Sequence, residues 1–314
     1  MTESDGAVGP SPMSEQRNPD MQSAMVCAGG FPGFCVSAPA KINAGLKVTG
    51  VRPDGYHELV TVMVPVSLYD RLEFWSCGGG VNLECSGNPV PCGEENLVCR
   101  AAHAFFERSG IKGGVKIRLE KKIPVAAGLG GGSSDAAATL SALNRIFENP
   151  LDQVALHKAA LGLGADVPFF LRQGPCIARG IGEVLEPLED WPDMWYVIVT
   201  PPVEVSTAWV YSNLKISLTS DKLAANMAQF KMTPFEVAGF LTNDLEAVTA
   251  ARFPVIIRIK ELLCDAGAEG ALMSGSGPSV YGIFKTETKA REAKAGLMPM
   301  LSGEVFVVSE ALGI

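Results

Sequence analysis

The alternation of apolar and polar side chains predicts strands in the first part of the chain. Residues 35–51 have strand-like composition, with an interruption at Pro39-Ala-Lys-Ile-Asn43. Residues 58–74 form a second such segment, which contains the strand-forming run Leu59-Val-Thr-Val-Met-Val64. Between the two, Arg52-Pro-Asp-Gly55 has the composition of a tight turn. The pattern therefore predicts two strands joined by a short turn.

Helical spacing follows in three segments. Residues 96–109 place apolar side chains at helical intervals, and the pattern stops at Gly110. Residues 133–147 are rich in helix-forming residues, and a helix over about residues 151–161 ends in Gly162-Leu-Gly164. Between and after these helices, further strands are predicted at residues 115–120, 175–179 and 195–200.

A second unit is predicted beyond Pro201-Pro202. Its predicted elements are helices around residues 221–230 and 251–266, a strand, glycine turn and strand within residues 270–284, a helix at 287–295 and a strand at 305–308. These patterns predict an α+β protein with domains at residues 34–200 and 201–314. Residues 1–33 are predicted to be a disordered tail, because the chain begins with a polar stretch that is poor in large apolar groups.

Composition and charge narrow the classes of function. Hydrophobic residues make up 47% of the chain and charged residues 19%, which is ordinary for a soluble enzyme. The net charge of −8 argues against a nucleic-acid partner, since no basic surplus exists to neutralise a phosphate backbone. No run of about 18 apolar residues occurs, so no membrane span is predicted. The eight cysteines are scattered without a Cys-x-x-Cys pair, which predicts neither a zinc site nor a disulfide framework and favours a cytoplasmic location.

The segment Pro124-Val-Ala-Ala-Gly-Leu-Gly-Gly-Gly-Ser-Ser134 carries the strongest chemical signal. It lies between a predicted strand and a predicted helix. Glycine lets backbone N–H groups face a ligand without a Cβ in the way, and a helix N-terminus adds unpaired N–H groups and the positive end of the dipole. Together these features predict a phosphate site. The simpler alternative is a strand-to-helix turn with Ser133 or Ser134 as the N-cap.

Neither of the two common phosphate loops fits this segment. No Gly-Lys-Ser/Thr occurs in the chain, which excludes a Walker A loop, and the glycine spacing does not match the Rossmann fingerprint. The segment resembles the Pro-x-x-x-Gly-Leu-Gly-Gly-Gly-Ser-Ser signature of the galactokinase, homoserine kinase, mevalonate kinase and phosphomevalonate kinase (GHMP) superfamily. Ala38-Pro-Ala-Lys-Ile-Asn43 and Gly275-Ser-Gly-Pro-Ser279 match further superfamily motifs in the same order.

Three more segments resemble one branch of this superfamily, whose members phosphorylate a cytidine-diphosphate methylerythritol in the non-mevalonate isoprenoid pathway. They are Pro53-Asp-Gly-Tyr-His-Glu58, Gly162-Leu-Gly-Ala-Asp-Val-Pro-Phe169 and Gly180-Ile-Gly-Glu183. The resemblance implies a two-domain GHMP kinase fold, with an N-terminal ATP-binding domain like domain 2 of ribosomal protein S5 and a ferredoxin-like C-terminal domain. It further implies that ATP and a cytidine-diphosphate sugar alcohol meet in the cleft between the domains.

The implied reaction transfers a phosphoryl group from ATP to a hydroxyl group, which requires phosphate positioning, Mg²⁺ and a group that accepts the hydroxyl proton. Asp166 matches the general base of the family, and Lys41 matches its catalytic lysine. A cation beside Asp166 would hold it ionised and offset charge on the transferring group. From the local sequence alone, Asp166 could instead be the N-cap of the next helix and Lys41 a surface lysine.

The remaining site residues follow from the same resemblance. The residues implied to contact the cytidine substrate are Asn43, Tyr56, His57, Thr207 and Tyr211. The alternatives are that Asn43 and Tyr56 close turns and that Tyr211 packs in the core. Ser134 is implied as a Mg²⁺ ligand, while Asp135 could either favour the helix N-terminus or meet the metal. The residues implied to bind ATP are Asn96, Pro124, Val125, Ala126, Ala127, Gly128, Leu129, Gly130, Gly131, Gly132, Ser133 and Ser134.

Two other functions compete with this interpretation. A mevalonate-type kinase or diphosphate decarboxylase would share the fold, but the Tyr56-His57 segment argues against it. A module that binds ATP without turnover belongs to a different class, and the presence of both Lys41 and Asp166 argues against that alternative.

Overall fold

The computed structural model describes residues 33–172, 174–215 and 238–311. Nearly all of the tail predicted at residues 1–33, and the helix predicted around residues 221–230, lie outside the described residues. The elements of the first part are β1 Phe34–Val51, β2 His57–Cys77, β3 Gly80–Gly87, α1 Leu97–Ser109, β4 Gly114–Lys121, α2 Gly131–Ile146, α3 Gln153–Leu163, α4 Val167–Phe170, β5 Cys176–Gly180 and β6 Val184–Pro187. Those of the second part are β7 Trp195–Thr200, α5 Thr207–Ser212, α6 Glu246–Arg252, α7 Val255–Asp265, β8 Ala271–Met273, β9 Val280–Phe284, α8 Glu287–Leu297, a 3₁₀ turn Met298–Met300 and β10 Glu304–Ser309.

β1 and β2 form a long antiparallel hairpin, which is the longest strand pair of the first sheet. β1 runs without a break through the segment that the sequence predicted as an interruption. The pairing register shifts between Pro39 and Ala40 and again between Asn43 and Gly45. Such irregularities bend the strand and re-aim its side chains. The apparent interruption is therefore a pair of bulges within one strand.

The first sheet has the strand order β3-β4-β2-β5-β6, with β1 paired along the other edge of β2. β3 and β4 are parallel, while the other pairs are antiparallel. One face of this sheet packs against α1 and α2, and α3 and α4 pack against these two helices. The core of this domain includes the buried side chains of Phe74, Phe105, Ile117 and Leu140. The abundant alanines of α2 allow this helix to pack closely into that core.

The second sheet has the order β10-β7-β9-β8, and all of its pairs are antiparallel. α7 and α8 contact its strands and share a core with them. Another core joins the two sheets: Tyr196 and Tyr281 of the second pack with Ile42 and Val64 of the β1–β2 hairpin. A buried apolar contact therefore joins the two domains.

Sheet membership divides the chain earlier than the sequence predicted. The predicted boundary lay after residue 200, but β7 pairs with β9 and β10 and so belongs to the second sheet. The passage between sheets falls between Pro187 and Trp195. Pro201-Pro202, which suggested a linker, directly follows β7 of the second sheet.

Other predicted elements agree with the structure to within a few residues, with two kinds of exception. The helix predicted at residues 251–266 is two helices, α6 and α7, separated at Pro254, because proline lacks the N–H that would continue α6. The short elements β3, β6, α4 and α5 were not predicted, since four to eight residues carry little periodicity.

A buried ionic cluster ties α2 to the first sheet. The ammonium group of Lys121, at the end of β4, contacts Asp70 of β2 and lies 2.8 Å from Oδ2 of Asp135 in α2. Asp70 also accepts the backbone N–H groups of Lys122 and Ile123, at 2.6 and 2.9 Å. Burial lowers the pKa of Lys121, but the two carboxylates outweigh it and raise the pKa. Lys121 therefore stays charged between the two carboxyl groups, while burial raises the pKa of Asp135 to about 7.

Replacing this buried cation should destabilise the protein. Lys121→Met leaves Asp70 and Asp135 without their counter-charge, which typically costs about 3–5 kcal/mol and should lower the thermal midpoint by roughly 10 °C. Lys116→Met is the matched control, because Lys116 lies on the same strand but pairs with Glu84 at the exposed surface. Differential scanning calorimetry should show little change for that control. Equal losses for both variants would contradict a structural role for the cluster.

Candidate active site

The glycine-rich loop connects the end of β4 to the start of α2. α2 begins at Gly131, two residues before the predicted start, with Gly130 at the N-cap and no side-chain cap. Ser133 and Ser134 therefore lie within the first helical turn and are not N-caps. The first N–H groups of α2 are left for a ligand, as the phosphate hypothesis requires.

Two glycines of the loop have a left-handed backbone, with φ of +75° at Gly128 and +70° at Gly130. At Gly128 a Cβ would lie 2.2 Å from the carbonyl oxygen of Ser274 in the second domain. Only glycine permits both this conformation and this approach. The loop is therefore pressed directly against the turn that follows β8.

A cleft of about 1110 Å³ lies between the two domains. Most of the predicted site residues line it together, although they are far apart in sequence. These are Lys41, Asn43, Tyr56, His57, Asn96, Pro124, Val125, Ala126, Ala127, Gly128, Gly130, Gly131, Gly132, Ser133, Asp166, Thr207 and Tyr211.

Two predicted members of the loop do not line the cleft. The Leu129 side chain is buried in the core that joins the two sheets, and its carbonyl accepts the N–H of Lys41 at 2.9 Å. Ser134 is fully buried, and its Oγ has no hydrogen-bond partner among the described residues. The same holds for Oδ1 of Asp135, which does line the cleft. Neither of these two buried oxygen atoms is satisfied by the described part of the protein.

The side chains of Lys41 and Asp166 lie next to each other in the cleft. Nζ of Lys41 lies 3.7 Å from Oδ2 of Asp166, and the lysine side chain is 5% exposed whereas the aspartate is 35% exposed. Asp166 stands at the N-cap position of α4 but accepts no capping hydrogen bond. Burial lowers the pKa of Lys41, and the charge of Asp166 partly opposes this. Lys41 is thus no surface lysine, and the Asp166 carboxylate is directed to it rather than to the helix.

Asn43 holds Lys41 in place. Its Oδ1 accepts a hydrogen bond from Lys41 Nζ at 2.5 Å, and its Nδ2 donates to the hydroxyl of Thr61 at 2.8 Å. Thr61 in turn donates to the carbonyl of Gly45 at 2.6 Å. The Asn43 side chain is therefore already engaged on both ends and does not close a turn. Thr61, the single polar residue in the run 59–64, was not predicted as a site residue, although that break in an apolar run was a visible signal.

Asn96 lines the cleft together with Val90 and Pro91, which form a lip beside it. Its Oδ1 caps α1 by accepting the N–H of Val98 at 2.9 Å, and its Nδ2 donates to the carbonyl of Pro91 at 2.6 Å. The side chain thus fixes both the helix start and the lip.

Another part of the cleft, the aromatic end, is lined by Tyr56, His57 and Tyr211. The rings of His57 and Tyr211 are 4.9 Å apart, and the Tyr56 side chain is 60% exposed. Burial, together with the charge of Asp166, raises the pKa of Tyr211 to about 12. Thr207 forms a hydrogen bond with Ser276 at 2.8 Å, and both residues line the cleft. The rings of His57 and Tyr211 thus form one aromatic surface of the cleft.

Within the described residues, no helix is long and apolar enough to cross a membrane, and no group of three or more His, Cys, Asp or Glu residues is arranged to hold a metal ion.

Family models match both parts of the chain. The model for the N-terminal domain of GHMP kinases matches residues 96–174, and the model for the C-terminal domain matches residues 223–298. The two-domain fold that the motifs implied is thereby confirmed.

Individual relatives give the same result. The chain is 48% identical to the 4-diphosphocytidyl-2-C-methyl-D-erythritol kinase of Syntrophotalea carbinolica, across 86% of this chain and 96% of that one. It is 47% identical to the enzyme of the same name from Syntrophus aciditrophicus, across 87% and 98%. A crystal structure of 4-(cytidine 5'-diphospho)-2C-methyl-D-erythritol kinase superimposes with a TM-score of 0.73 at 38% identity, covering 90% of this chain and all of that one. A mevalonate kinase structure superimposes at 0.68 with 15% identity, covering 90% of this chain and 100% of that one, a likeness of fold alone.

Two neighbouring glycines of the loop should respond differently to valine. A Cβ at Gly132 would meet only the Leu97 side chain, at 3.5 Å, whereas one at Gly131 would lie 2.9 Å from Lys121 Nζ. We expect Gly132→Val to fold normally but to bind ATP at least about tenfold more weakly, because the side chain occupies the place predicted for phosphate. Gly131→Val should also lower the thermal midpoint. Isothermal titration with ATP and a thermal scan measure the two effects, and unchanged ATP affinity in Gly132→Val would show that the loop is only structural.

Proposed function

The chain belongs to the family of 4-diphosphocytidyl-2-C-methyl-D-erythritol kinases, a branch of the GHMP kinases, and from that premise we propose which residues carry out its reaction. The reaction is the ATP-dependent phosphorylation of a hydroxyl group of 4-diphosphocytidyl-2-C-methyl-D-erythritol, giving the 2-phosphate, in the non-mevalonate route to isoprenoid precursors. The observation that carries the proposal is the pairing of Lys41 with Asp166, 3.7 Å apart, in the cleft beside the glycine loop.

Asp166 is the proposed general base. Its carboxylate is partly exposed in the cleft, where a substrate hydroxyl can approach it, and the ammonium group of Lys41 lies 3.7 Å from it. A carboxylate in this position can accept the hydroxyl proton as the oxygen attacks the γ-phosphoryl group of ATP.

Lys41 is proposed to stabilise the transferring phosphoryl group. Its ammonium is buried and held by the Asn43 side chain and by the carbonyl of Gly128, at 2.5 and 3.1 Å. A cation fixed in a poorly hydrated site interacts more strongly with developing negative charge than one in water. Lys41 therefore joins the base to the phosphate loop.

The phosphate groups of ATP are proposed to lie against the loop 124–134 and the first turn of α2, where backbone N–H groups are unpaired and the helix dipole is positive. Asn96 is proposed to act at the adenine end, by holding the lip of Val90 and Pro91 against the base.

Mg²⁺ is proposed to accompany ATP. Ser134 Oγ and Asp135 Oδ1 fit this ion, because both are oxygen atoms without a protein partner among the described residues and Mg²⁺ prefers oxygen ligands. When bound, the ion would neutralise charge on the phosphate groups. Asp135 keeps its other oxygen on Lys121, so the ionic cluster would fix the direction of that ligand.

The cytidine end of the substrate is proposed to lie between Tyr56, His57 and Tyr211, with Thr207 nearby. Two of these rings are already in contact, and the third stands exposed beside them. Aromatic faces suit a flat base. Asn43 lies deeper, where the methylerythritol hydroxyl would meet Lys41 and Asp166. We place the reaction in the cytoplasm, because the cysteines of the described residues are free thiols.

Asp166→Asn should separate catalysis from binding. The amide has nearly the same shape but cannot accept the proton, so kcat should fall by about 10²–10⁴-fold while the affinity for ATP stays close to that of the wild type. Asp190→Asn, an exposed position outside the cleft lining, is the matched control and should leave kcat unchanged. An ADP-release assay gives both values, and near-normal turnover by Asp166→Asn would assign proton removal to another group.

Tyr56→Ala should affect one substrate only. Loss of one aromatic face is worth roughly 1–3 kcal/mol, so KM for the cytidine substrate should rise about 5- to 150-fold while KM for ATP hardly changes. Tyr56→Phe retains the ring and should behave like the wild type. The same assay with mevalonate as acceptor should give no turnover. Equal increases of both KM values, or phosphorylation of mevalonate, would contradict the assignment of the aromatic end.

A further inference from the structure

Ser274 lies outside every motif that the sequence brought forward. It follows β8 directly and precedes the turn Gly275-Ser-Gly-Pro-Ser279. It is fully buried, and it does not line the cleft. A buried hydroxyl at the junction of two domains requires partners, and its partners identify its role.

The hydroxyl of Ser274 joins two segments of the first domain. Its Oγ accepts the backbone N–H of Asn43 in β1 at 3.2 Å and donates to the carbonyl of Gly128 in the glycine loop at 2.9 Å. Asn43 sits at one of the bulges of β1, where the strand ladder does not satisfy every backbone group. One side chain from the second domain thus bridges the catalytic strand and the phosphate loop.

Lys41 closes these contacts into a ring. Its Nζ donates to the same Gly128 carbonyl at 3.1 Å and to Oδ1 of Asn43 at 2.5 Å. The ring therefore runs from Lys41 to Gly128, Ser274, Asn43 and back to Lys41. Ser274 thus shares the Gly128 carbonyl with Lys41 and holds the main chain of Asn43, the residue whose side chain binds the ammonium.

Ser274 is itself held rigidly. Nδ2 of Asn243 donates to the carbonyls of Met273 and Gly275, the residues on either side of it, at 2.8 and 2.7 Å. The N–H of Ser274 donates to the carbonyl of Ser279 at 2.9 Å. With its main chain fixed on three sides, the serine can direct its hydroxyl only to β1 and the loop.

We propose that Ser274 is a positioning residue, which uses the second domain to hold the phosphate loop and β1 in the relative placement that aims Lys41. The proposal rests on the function proposed above for Lys41. Without this hydroxyl, the buried N–H of Asn43 loses the serine as its partner, and among the described residues the Gly128 carbonyl keeps only Lys41. The ammonium of Lys41 then shifts with the loop, and small displacements of a catalytic group are costly to the rate.

Ser274→Ala tests this role against Ser279→Ala. Ser279 is also fully buried in the same turn, but its hydroxyl bonds Thr200 of the second domain at 2.8 Å and reaches neither β1 nor the loop. We expect Ser274→Ala to lower kcat about 10- to 100-fold and to change KM for the cytidine substrate less than about twofold, since the Ser274 hydroxyl bonds to Asn43 and Gly128 and to none of the three aromatic residues. Both variants should lower the thermal midpoint by similar amounts, because each removes a buried hydrogen bond. Ser279→Ala should nevertheless leave kcat within about twofold of the wild type.

The outcomes separate this proposal from the function on which it rests. Failure of the wild type to phosphorylate the cytidine substrate would refute the function, whereas normal kcat in Ser274→Ala with an active wild type would refute the positioning role alone. Equal losses of kcat in both variants would also refute it, since any change in the turn would then suffice. If Ser274→Ala does not fold, Ser274→Cys fills nearly the same volume with a weaker hydrogen-bonding group, and an unchanged kcat in that variant would overturn the proposal.

Discussion

Burial of the Lys41 ammonium group is the constraint on which the cleft depends. A charge removed from water is tolerated only when several polar groups surround it. Its partners come from three places: the side chain of Asn43 two residues along β1, the carbonyl of Gly128 in the glycine loop, and the carboxylate of Asp166 before α4. Each must be brought to within a few ångströms of Nζ, so the requirement of one cation dictates how three segments pack.

The β1–β2 hairpin meets that requirement because it belongs to both cores. One set of its side chains packs under the helices of the first domain, and another set packs against Tyr196 and Tyr281 of the second sheet. The Tyr281 hydroxyl also donates to the carbonyl of Asn43 at 3.0 Å. The bulges of β1 occur beside this contact, which exposes backbone groups there to partners from the other domain. The active-site strand is therefore shaped by tertiary contacts as much as by its own ladder.

Two buried lysines flank the glycine loop and have different roles. Lys121 is paired with two carboxylates on the helix side, and its pKa is raised, so it serves as a fixed counter-ion that anchors β4 and α2. Lys41 faces one partly exposed carboxylate, and burial lowers its pKa. An ammonium group with fewer neighbouring carboxylates has more of its positive charge uncompensated. It can therefore attract a phosphate group more strongly. Lys121 thus anchors the structure on one side of the glycine loop, whereas Lys41 on the other side remains available to a phosphate group.

The sequence by itself determined the elements and the chemical parts. Regular spacing of apolar residues located most strands and helices, and the run from Pro124 to Ser134, with Lys41 and Asp166 in their motifs, indicated a phosphotransferase, because such signals are local and need no knowledge of distant contacts. Only the tertiary structure decided that Asp166 turns to Lys41 rather than capping α4, that Leu129 faces the core, and that β7 joins the second sheet. It also decided that Ser274 reaches Asn43 across 231 positions of sequence. Such contacts depend on how separately formed elements pack, and packing is set by the whole core rather than by any one segment.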